Sequence, residues 1–210
     1  MKKLISKNKN LEVAENKLID IISSFSQKDC KFLKNTKAFK EFLKNINDLV
    51  DINWEKVIKI NRFQYRYGSY ILKFGFAHSN LDLPQLDEFV KFYCRINLKF
   101  KDAKNSIYFG FEIQDFIESS DICSENELYT IYSNLRDKGY IWADASYSNV
   151  KKLNDKFVVV DLGDIYRENQ ENFIVNSKIS EKYYHIYLKN KKWERNIILS
   201  FLIAVYMIKK

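Results

Sequence analysis

The chain is short of the residues that usually form flexible turns. It has five glycines and one proline among 210 residues, so asparagine, aspartate and serine are expected to form most of its turns. No Gly/Ser-rich linker and no internal repeat divides it. Hydrophobic residues make up 46% of the sequence and aromatic residues 16%, which is enough for a sizeable core and excludes global disorder. The length suits one domain, or one domain with an added segment.

Cysteine and histidine are also scarce. The three cysteines, Cys30, Cys94 and Cys123, lie far apart and form no C-x-x-C pair. This pattern predicts reduced, mostly buried thiols in a cytosolic protein. The two histidines, His78 and His185, have no metal-ligating neighbours at a useful spacing, so a zinc site is not expected.

Lysine and arginine outnumber the acids, which leaves a formal net charge of +8. This balance favours an anionic partner such as a nucleotide, a nucleic acid, an acidic lipid or a phosphorylated glycan. The alternative is a surface that is basic without a dedicated partner. The N-terminus is basic but lacks a sustained apolar segment and a small-residue cleavage site, so no secretory signal is predicted.

The C-terminal segment "KNKKWERNIILSFLIAVYMIKK" contains an uncharged run, residues 197–208, between two basic clusters. These residues are too few to span a bilayer, which needs about 20. We therefore favour a helix packed in the core. The alternative is a helix at a membrane interface, with Trp193 at headgroup depth and the lysines facing anionic lipid.

Hydrophobic periodicity predicts the elements of the first half of the chain. Helical stripes over residues 11–25 and 38–50 predict an N-terminal helical extension, residues 1–52. "KVIKINRF" and "YGSYILKFGF" predict a β-hairpin, and "SIYFGFEIQDFIE" predicts a further strand. Between them, we expect a helix with Pro84 in its first turn. The apolar positions of this helix are Leu86, Phe89, Val90 and Tyr93.

The second half begins with a helix whose two ends are both marked. Ser124 and Glu127 fit a capping box, apolar residues then recur at helical spacing from Leu128 to Leu135, and Gly139 is a stop signal. The segments "YIWAD" and "KFVVVD" follow as short strands, and helical segments are expected towards the C-terminus.

One hairpin carries most of the polar chemistry, in the sequence "WADASYSNVKKLNDKFVVVDLGD". Asp144 and Asn149 flank a turn-forming stretch, and Asp161 ends an apolar strand directly before Leu-Gly. Magnesium prefers oxygen ligands and bridges phosphate oxygens, so a carboxylate and an amide carbonyl can complete its coordination. A second aspartate can orient an attacking hydroxyl and accept its proton. The spacing D-x-x-x-x-N, followed by a strand and D-x-G, is that of a phosphoryl-transfer hairpin.

These residues resemble the catalytic and metal-binding loops of the protein-kinase-like fold, and among its members the small bacterial sugar kinases, especially the lipopolysaccharide core heptose kinases. The resemblance runs from about residue 70 to 166 and implies an α+β, two-lobed fold. The implied domains are the N-terminal extension (1–52), a small, reduced β-rich nucleotide-binding lobe (53–118) and a mainly helical catalytic lobe (119–210). In this family pattern Asp144 is the catalytic residue, and Asn149 and Asp161 are magnesium ligands.

The resemblance also implies nucleotide-binding residues in the β-rich part. Lys73 stands where the fold keeps a phosphate-contacting lysine, and its partner is expected to be Glu88, or Asp87 if the helix phase differs. Glu112 and Asp115 lie on the strand and hinge that are expected near the adenine base. Four side chains, those of Lys73 and the hairpin trio, are then expected around one pocket.

Two departures from the family pattern stand out. No G-x-G-x-x-G precedes Lys73, where only Gly68 is present, so fewer backbone amides are available to bind phosphate. Trp142 and Ala143 replace the usual surroundings of the catalytic aspartate, and Trp142 is expected to fill the space of a missing histidine.

The implied function is an ATP- and Mg²⁺-dependent kinase that phosphorylates a sugar hydroxyl, on the lipopolysaccharide core. We expect it to be cytoplasmic, with a possible peripheral contact at the inner membrane through the C-terminal helix, and to bind an anionic glycolipid or sugar acceptor. The alternatives are a minimal bacterial effector protein kinase and a non-catalytic pseudokinase that binds a partner. A nucleic-acid partner is not expected, because the interleaved aromatic residues and lysines near Lys73 are more typical of a hairpin with one buried face.

Overall fold

The structure, a computed structural model, describes residues 2–78, 81–101, 106–169 and 177–208, with the side chains of 9–198 within those ranges. In this described part the protein has four α-helices and nine β-strands, so the predicted α+β class is confirmed. The helices are α1 (Lys2–Ser26), α2 (Lys37–Leu49), α3 (Glu125–Asp137) and α4 (Lys178–Ile208). The strands are β1 (Ile58–Lys59), β2 (Gln64–Tyr67), β3 (Tyr70–Gly75), β4 (Phe92–Lys101), β5 (Ser106–Asp115), β6 (Tyr140–Trp142), β7 (Val150–Leu153), β8 (Lys156–Val159) and β9 (Ile165–Arg167).

The chain forms two compact units. The first contains Met1–Leu86 and Val90–Glu118, and the second contains Asp87–Phe89 and Ser119–Lys210. The first unit therefore includes both α1 and α2 together with β1 to β5. The second includes α3, α4 and the hairpin that carries Asp144, Asn149 and Asp161.

The first unit is an antiparallel sheet of order β1-β2-β3-β5-β4, covered on one face by α1 and α2. The ring of Phe42, on α2, packs edge-to-face on Phe111 of β5 with ring centroids 5.3 Å apart. Burying aromatic and aliphatic side chains in this way stabilises a fold by about 1.5–3 kcal/mol each. The two N-terminal helices and the sheet thus share one core, whose central members are Leu18, Ile22, Phe39, Phe42, Trp54, Leu72, Phe74, Phe109 and Phe111.

The prediction of a helix around Leu86 to Tyr93 is wrong. Leu86 lies in irregular chain, and β4 begins at Phe92 and runs for ten residues. Apolar residues alternate along β4 from Cys94 to Phe100, which is the period of a strand with one buried face. Pairing with β5 over its whole length satisfies the backbone of β4, so the long-range partner decides the structure of this segment.

Gly110 permits a close crossing over the other face of the sheet. A Cβ atom at Gly110 would lie 2.3 Å from the backbone oxygen of Phe76, a distance that no real side chain tolerates. The crossing segment is fastened by Asn97 of β4, whose Oδ1 accepts from the His78 amide at 2.6 Å and whose Nδ2 donates to the His78 carbonyl at 3.1 Å. His78 is therefore a packing residue of the first unit.

The second unit begins with the capped helix. The Glu127 amide donates to Ser124 Oγ at 3.3 Å, and Glu127 Oε2 accepts from the Ser124 amide at 2.8 Å, so the capping box predicted for α3 is confirmed. The chain turns at Gly139, with φ +80°, into β6, which pairs with β9. β7 and β8 form a separate hairpin.

Helix α4 is one continuous helix rather than several segments. Tyr183 anchors its first turns, since this side chain is buried and packs edge-to-face on Tyr132 of α3. Every side chain in residues 188–198 is exposed, including Trp193 at 63%, although Asn190 and Lys191 still contact α3. The side chains of residues 199–208, where the sequence predicted core packing, lie outside the described residues. Within the described chain, no helix is long and apolar enough to cross a membrane.

Candidate functional site

Asp144 follows β6 on a backbone that is fixed on both sides. Its neighbours Ala143 and Ala145 are fully buried. The Ala143 amide donates to the Asp164 carbonyl at 2.9 Å, and the Ala145 amide donates to Ser180 Oγ at 2.8 Å. The alanines on either side are small and buried, whereas the Asp144 side chain between them is only half-buried and remains accessible.

Asn149 is bound directly to Asp144. Its Nδ2 atom donates to the Asp144 backbone oxygen at 3.0 Å and to Asp144 Oδ2 at 3.1 Å. Both bonds have Asp144 as the acceptor, which sets the orientation of the amide. The carbonyl oxygen Oδ1 faces the other way and receives only a long contact, 3.4 Å, from Ser148 Oγ. It is therefore available as an oxygen ligand.

Asp161 is joined to the same cluster through the backbone. The Val160 amide donates to the Asn149 carbonyl at 2.9 Å, which continues the β7–β8 pairing by one step. Asp161 therefore directly follows the residue that pairs with Asn149. The Asp161 side chain is exposed, and its Oδ1 accepts a long hydrogen bond, 3.4 Å, from the Gly163 amide. The hairpin thus carries all three predicted residues, and the first two are in direct contact.

The ligand chemistry of this trio fits magnesium better than zinc. Among the residues that the structure describes, no group of three or more His, Cys, Asp or Glu side chains could hold a metal ion. Magnesium needs no such group, since it retains waters and commonly takes one or two carboxylates together with substrate phosphates. Asp161 and the Asn149 carbonyl offer one carboxylate and one amide oxygen of the kind it prefers.

A row of charged side chains crosses the sheet of the first unit. Lys73 on β3 is the direct register partner of Glu112 on β5, and Glu112 is in turn the register partner of Arg95 on β4. Arg95 Nε lies 2.8 Å from Glu112 Oε2, and Lys73 Nζ lies 3.8 Å from Glu112 Oε1. The side chains of Arg95 and Glu112 are each 1% exposed, and that of Lys73 is 15% exposed. Residues directly opposite in an antiparallel pair share a face, which explains the row.

The acid beside Lys73 differs from the prediction. Glu112, predicted near an adenine base, is the buried ion-pair partner of Lys73. Glu88, predicted as that partner on a helix, lies outside any helix, and both of its carboxylate oxygens accept from Lys138 Nζ at 2.7 Å. Asp87, the second choice, is exposed, and its carbonyl accepts from Lys156.

Asp115, the other residue predicted near the base, is held by a tyrosine. Tyr93 Oη donates to Asp115 Oδ1 at 2.8 Å. Burial, with the Asp115 carboxylate as a second cause, raises the pKa of Tyr93 to about 12, so this hydroxyl stays a donor at every physiological pH. The carboxylate of Asp115 thus has a structural partner at the end of β5.

Three residues of these two clusters were not found from the sequence. Ser177 and Ser180 fasten the turn around Asp144, the first by donating from Oγ to the Ala145 carbonyl at 2.9 Å. The S-x-x-S spacing at the start of α4 was the available signal, as a helix N-terminus motif. Arg95 gave no local signal, because only the pairing of β4 with β5 brings it to Glu112. Trp142, expected to fill the space of a histidine, is fully buried.

Comparisons with known proteins identify no family. No protein-family model matches the chain, and no curated protein matches its sequence. Two similar solved structures are of the Legionella pneumophila effector kinase LegK7, one of them in complex with human MOB1A. Their sequence identities are 16% and 14%, and both TM-scores are 0.36. The matched part covers 66% and 65% of this chain but only 40% and 37% of those chains. TM-scores of this size do not establish a shared fold.

Proposed function

We propose that the protein is an ATP- and Mg²⁺-dependent phosphotransferase with the protein-kinase-like fold. The observation that carries the proposal is the hairpin of the second unit, where Asn149 Nδ2 binds Asp144 at 3.0 and 3.1 Å and the Val160–Asn149 backbone bond brings in Asp161. A proton acceptor, an amide oxygen and a carboxylate thus occur together on one short, rigid segment. These are three of the groups that kinase-type phosphoryl transfer uses.

Each residue has a separate role in the proposed reaction. Asp144 orients the acceptor hydroxyl and takes its proton as the new oxygen–phosphorus bond forms. The bond between the γ-phosphorus and the β–γ bridging oxygen breaks, and ADP leaves. Asp161 and the Asn149 carbonyl hold Mg²⁺, which neutralises phosphate charge when bound. Lys73, in the first unit, binds nucleotide phosphate.

The proposed acceptor is a sugar hydroxyl on a lipopolysaccharide core or a related anionic glycan. The formal charge of +8 supports an acidic acceptor, and the exposed Trp193 and neighbouring lysines of α4 support contact with anionic lipid at the inner membrane. Binding of the protein to anionic vesicles should then weaken as salt rises, because salt screens surface charge. Vesicle binding that is independent of both salt and lipid charge would exclude this contact.

A second candidate is a nucleotide-binding module that does not transfer phosphate. The turn between β2 and β3 contains only Gly68, at φ +57°, and Ser69. A turn this short offers few backbone amides to phosphate, in contrast to a glycine-rich loop. Weak nucleotide binding without turnover would favour this candidate.

Thermal denaturation with MgATP tests the nucleotide site. A ligand at 100 times its Kd stabilises the native state by about 2.7 kcal/mol, which corresponds to a rise in Tm of roughly 5–10 °C for a chain of this size. We expect Asp161→Asn to abolish the part of this rise that depends on Mg²⁺, because the substitution removes the charge and keeps the shape.

Asp155 provides a matched control for this experiment. It lies exposed in the turn of the same hairpin and has no role in the proposed reaction, so Asp155→Asn should respond to MgATP like the wild type. If the wild-type Tm does not change with MgATP, or if Asp161→Asn keeps the full Mg²⁺-dependent rise, the proposed function is wrong.

A further inference from the structure

The charged row of the first unit contains two cations and one anion, and their side chains differ in solvent exposure. Glu112 is shared, since its Oε2 atom is 2.8 Å from Arg95 and its Oε1 atom is 3.8 Å from Lys73. Lys73 is the only one of these three side chains that is more than 1% exposed. A ligand therefore reaches the row through Lys73, while Arg95 contacts only the protein interior.

The two ion pairs differ in strength. The Arg95–Glu112 pair is short and fully buried, so electrostatic attraction between the two charges is strong there. The Lys73–Glu112 separation exceeds hydrogen-bond distance, and Glu112 Oε1 accepts no hydrogen bond in the described part of the chain. The Glu112 carboxylate thus attracts the lysine electrostatically without accepting a hydrogen bond from it.

The backbone of β4 is adapted to this arrangement. A register shift between Phe92 and Cys94 changes the pairing with β5, so that Cys94 opposes Ile113 and Arg95 opposes Glu112. Without this shift, the register set by the Phe92–Gln114 pair would continue along the strand. Cys94 would then lie opposite Glu112, and Arg95 would lie opposite Phe111 on the apolar face. Bulges of this kind re-aim side chains near functional sites.

We propose that Arg95 is a positioning residue, which fixes the buried carboxylate of Glu112 so that Glu112 holds Lys73 in place for nucleotide phosphate. This proposal rests on the phosphate-binding role that the proposed function gives to Lys73. Arg95 acts through Glu112 and does not touch the nucleotide. The acid that orients the lysine is thus supplied by the adjacent strand β5.

The test compares the binding of MgADP with that of adenosine, which lacks phosphate, in single and double variants. We expect Arg95→Met and Lys73→Met each to weaken MgADP binding about tenfold and to change adenosine binding less than twofold. The Arg95→Met/Lys73→Met double variant should bind MgADP no more weakly than either single variant, because both act through one contact. Lys99→Met is the matched control, since Lys99 is exposed on the same strand.

A second double variant separates positioning from folding. Arg95→Met leaves a buried carboxylate short of one partner and should lower Tm by roughly 10 °C, whereas Arg95→Met/Glu112→Gln removes both charges and should recover most of that loss. Under the proposal its MgADP affinity stays about tenfold low despite the recovered Tm. Wild-type MgADP affinity in this double variant, or an equal loss of adenosine binding in Arg95→Met, would show that Arg95 is structural only.

The experiment also distinguishes a failure of the proposed function from a failure of the role proposed for Arg95. Wild-type protein that binds neither MgADP nor adenosine would overturn the proposed function, and the role of Arg95 with it. Wild-type protein that binds MgADP while both Arg95 variants bind it equally well would overturn only the role of Arg95.

Discussion

His78 is packed against β5 beside the charged row, with its Nε2 atom 3.0 Å from the carbonyl oxygen of Phe111. A neutral imidazole with a hydrogen on Nε2 can donate this bond. Burial is the main cause that lowers the pKa of His78 below its usual value of 6.5. The Glu112 carboxylate opposes this shift, and the Arg95 and Lys73 cations add to it. The folded protein therefore favours the neutral form of His78.

This shift predicts that acid destabilises the first unit through His78. The unfolded chain binds a proton at His78 near pH 6.5, and the folded chain binds it only at lower pH. The contribution of neutral His78 is thus complete above pH 6.5 and is lost as the pH falls through the depressed pKa. Measured from pH 7.5 to pH 5, Tm should decline less in His78→Gln than in the wild type.

His185 is the control for this pH series. It lies exposed on α4, so His185→Gln should follow the wild-type curve of Tm against pH. Parallel curves for the wild type and His78→Gln would mean that other groups account for the acid sensitivity.

At the scale of elements, α3 is the helix whose start is best defined. Its first turn carries the Ser124–Glu127 capping box, and Glu125 and Glu127 place negative charge at the positive end of the helix dipole. The hydrogen bonds from Ser124 lower the pKa of Glu127 below its usual value, so the carboxylate stays ionised well into the acidic range.

Removing the cap should destabilise α3 measurably. Ser124→Ala deletes the acceptor for the Glu127 amide, and N-cap losses of this kind cost about 1 kcal/mol. Urea denaturation followed by helical circular dichroism, with amide exchange at Glu127, measures the effect. Thr130→Ala is the comparison, because Thr130 lies exposed within the same helix and alanine is favourable there. A cap variant as stable as Thr130→Ala would contradict the prediction.

The same element shows what local patterns can predict. The cap residues, the apolar stripe and the final glycine of α3 all lie within 16 residues, from Ser124 to Gly139, so short-range chemistry determines both ends of this helix. The contact between Asp144 and Asn149 is also short-range, since these residues are five positions apart in the sequence. Secondary structure and contacts of this range follow from propensity and spacing.

Strand β4 shows where local patterns fail. The apolar residues before Tyr93 fit a helical stripe. The alternation of apolar residues along β4 indicates a strand only once β5 is known as the partner of β4. Arg95 and Glu112 are 17 positions apart, and their pairing depends on a register shift that no short motif specifies. The prediction of Glu88 as the partner of Lys73 failed for the same reason, because it assumed a helix that tertiary pairing replaces with irregular chain and a strand.

At the scale of the whole molecule, the net charge of +8 favours an anionic partner of any kind. Acceptor specificity depends on surfaces rather than on the fold. A sugar, a protein or no acceptor at all are therefore three outcomes of one experiment.

That experiment follows transfer of labelled γ-phosphate from MgATP to deacylated lipopolysaccharide core oligosaccharide and, separately, to a basic protein substrate. We expect label on the glycan, and a loss of about 100-fold or more in Asp144→Asn, which keeps the shape of the residue but cannot accept the proton. Asp155→Asn should transfer like the wild type.

The other outcomes of the transfer assay are equally informative. Label on the protein substrate alone would replace the sugar with a protein acceptor. Label on neither, with MgATP still bound, would identify a binding module.

The sharing of Glu112 between two strands of one sheet has a consequence for control of the protein. In protein kinases the acid that pairs with the lysine lies on a separate helix, and the position of that helix controls activity. In this chain the acid and the lysine are neighbours on adjacent hydrogen-bonded strands, so the pairing of β3 with β5 fixes the spacing of their backbones. Under the proposed function, the lysine and its acid come into register as soon as the sheet of the first unit forms, so no separate activation step is needed to bring them together.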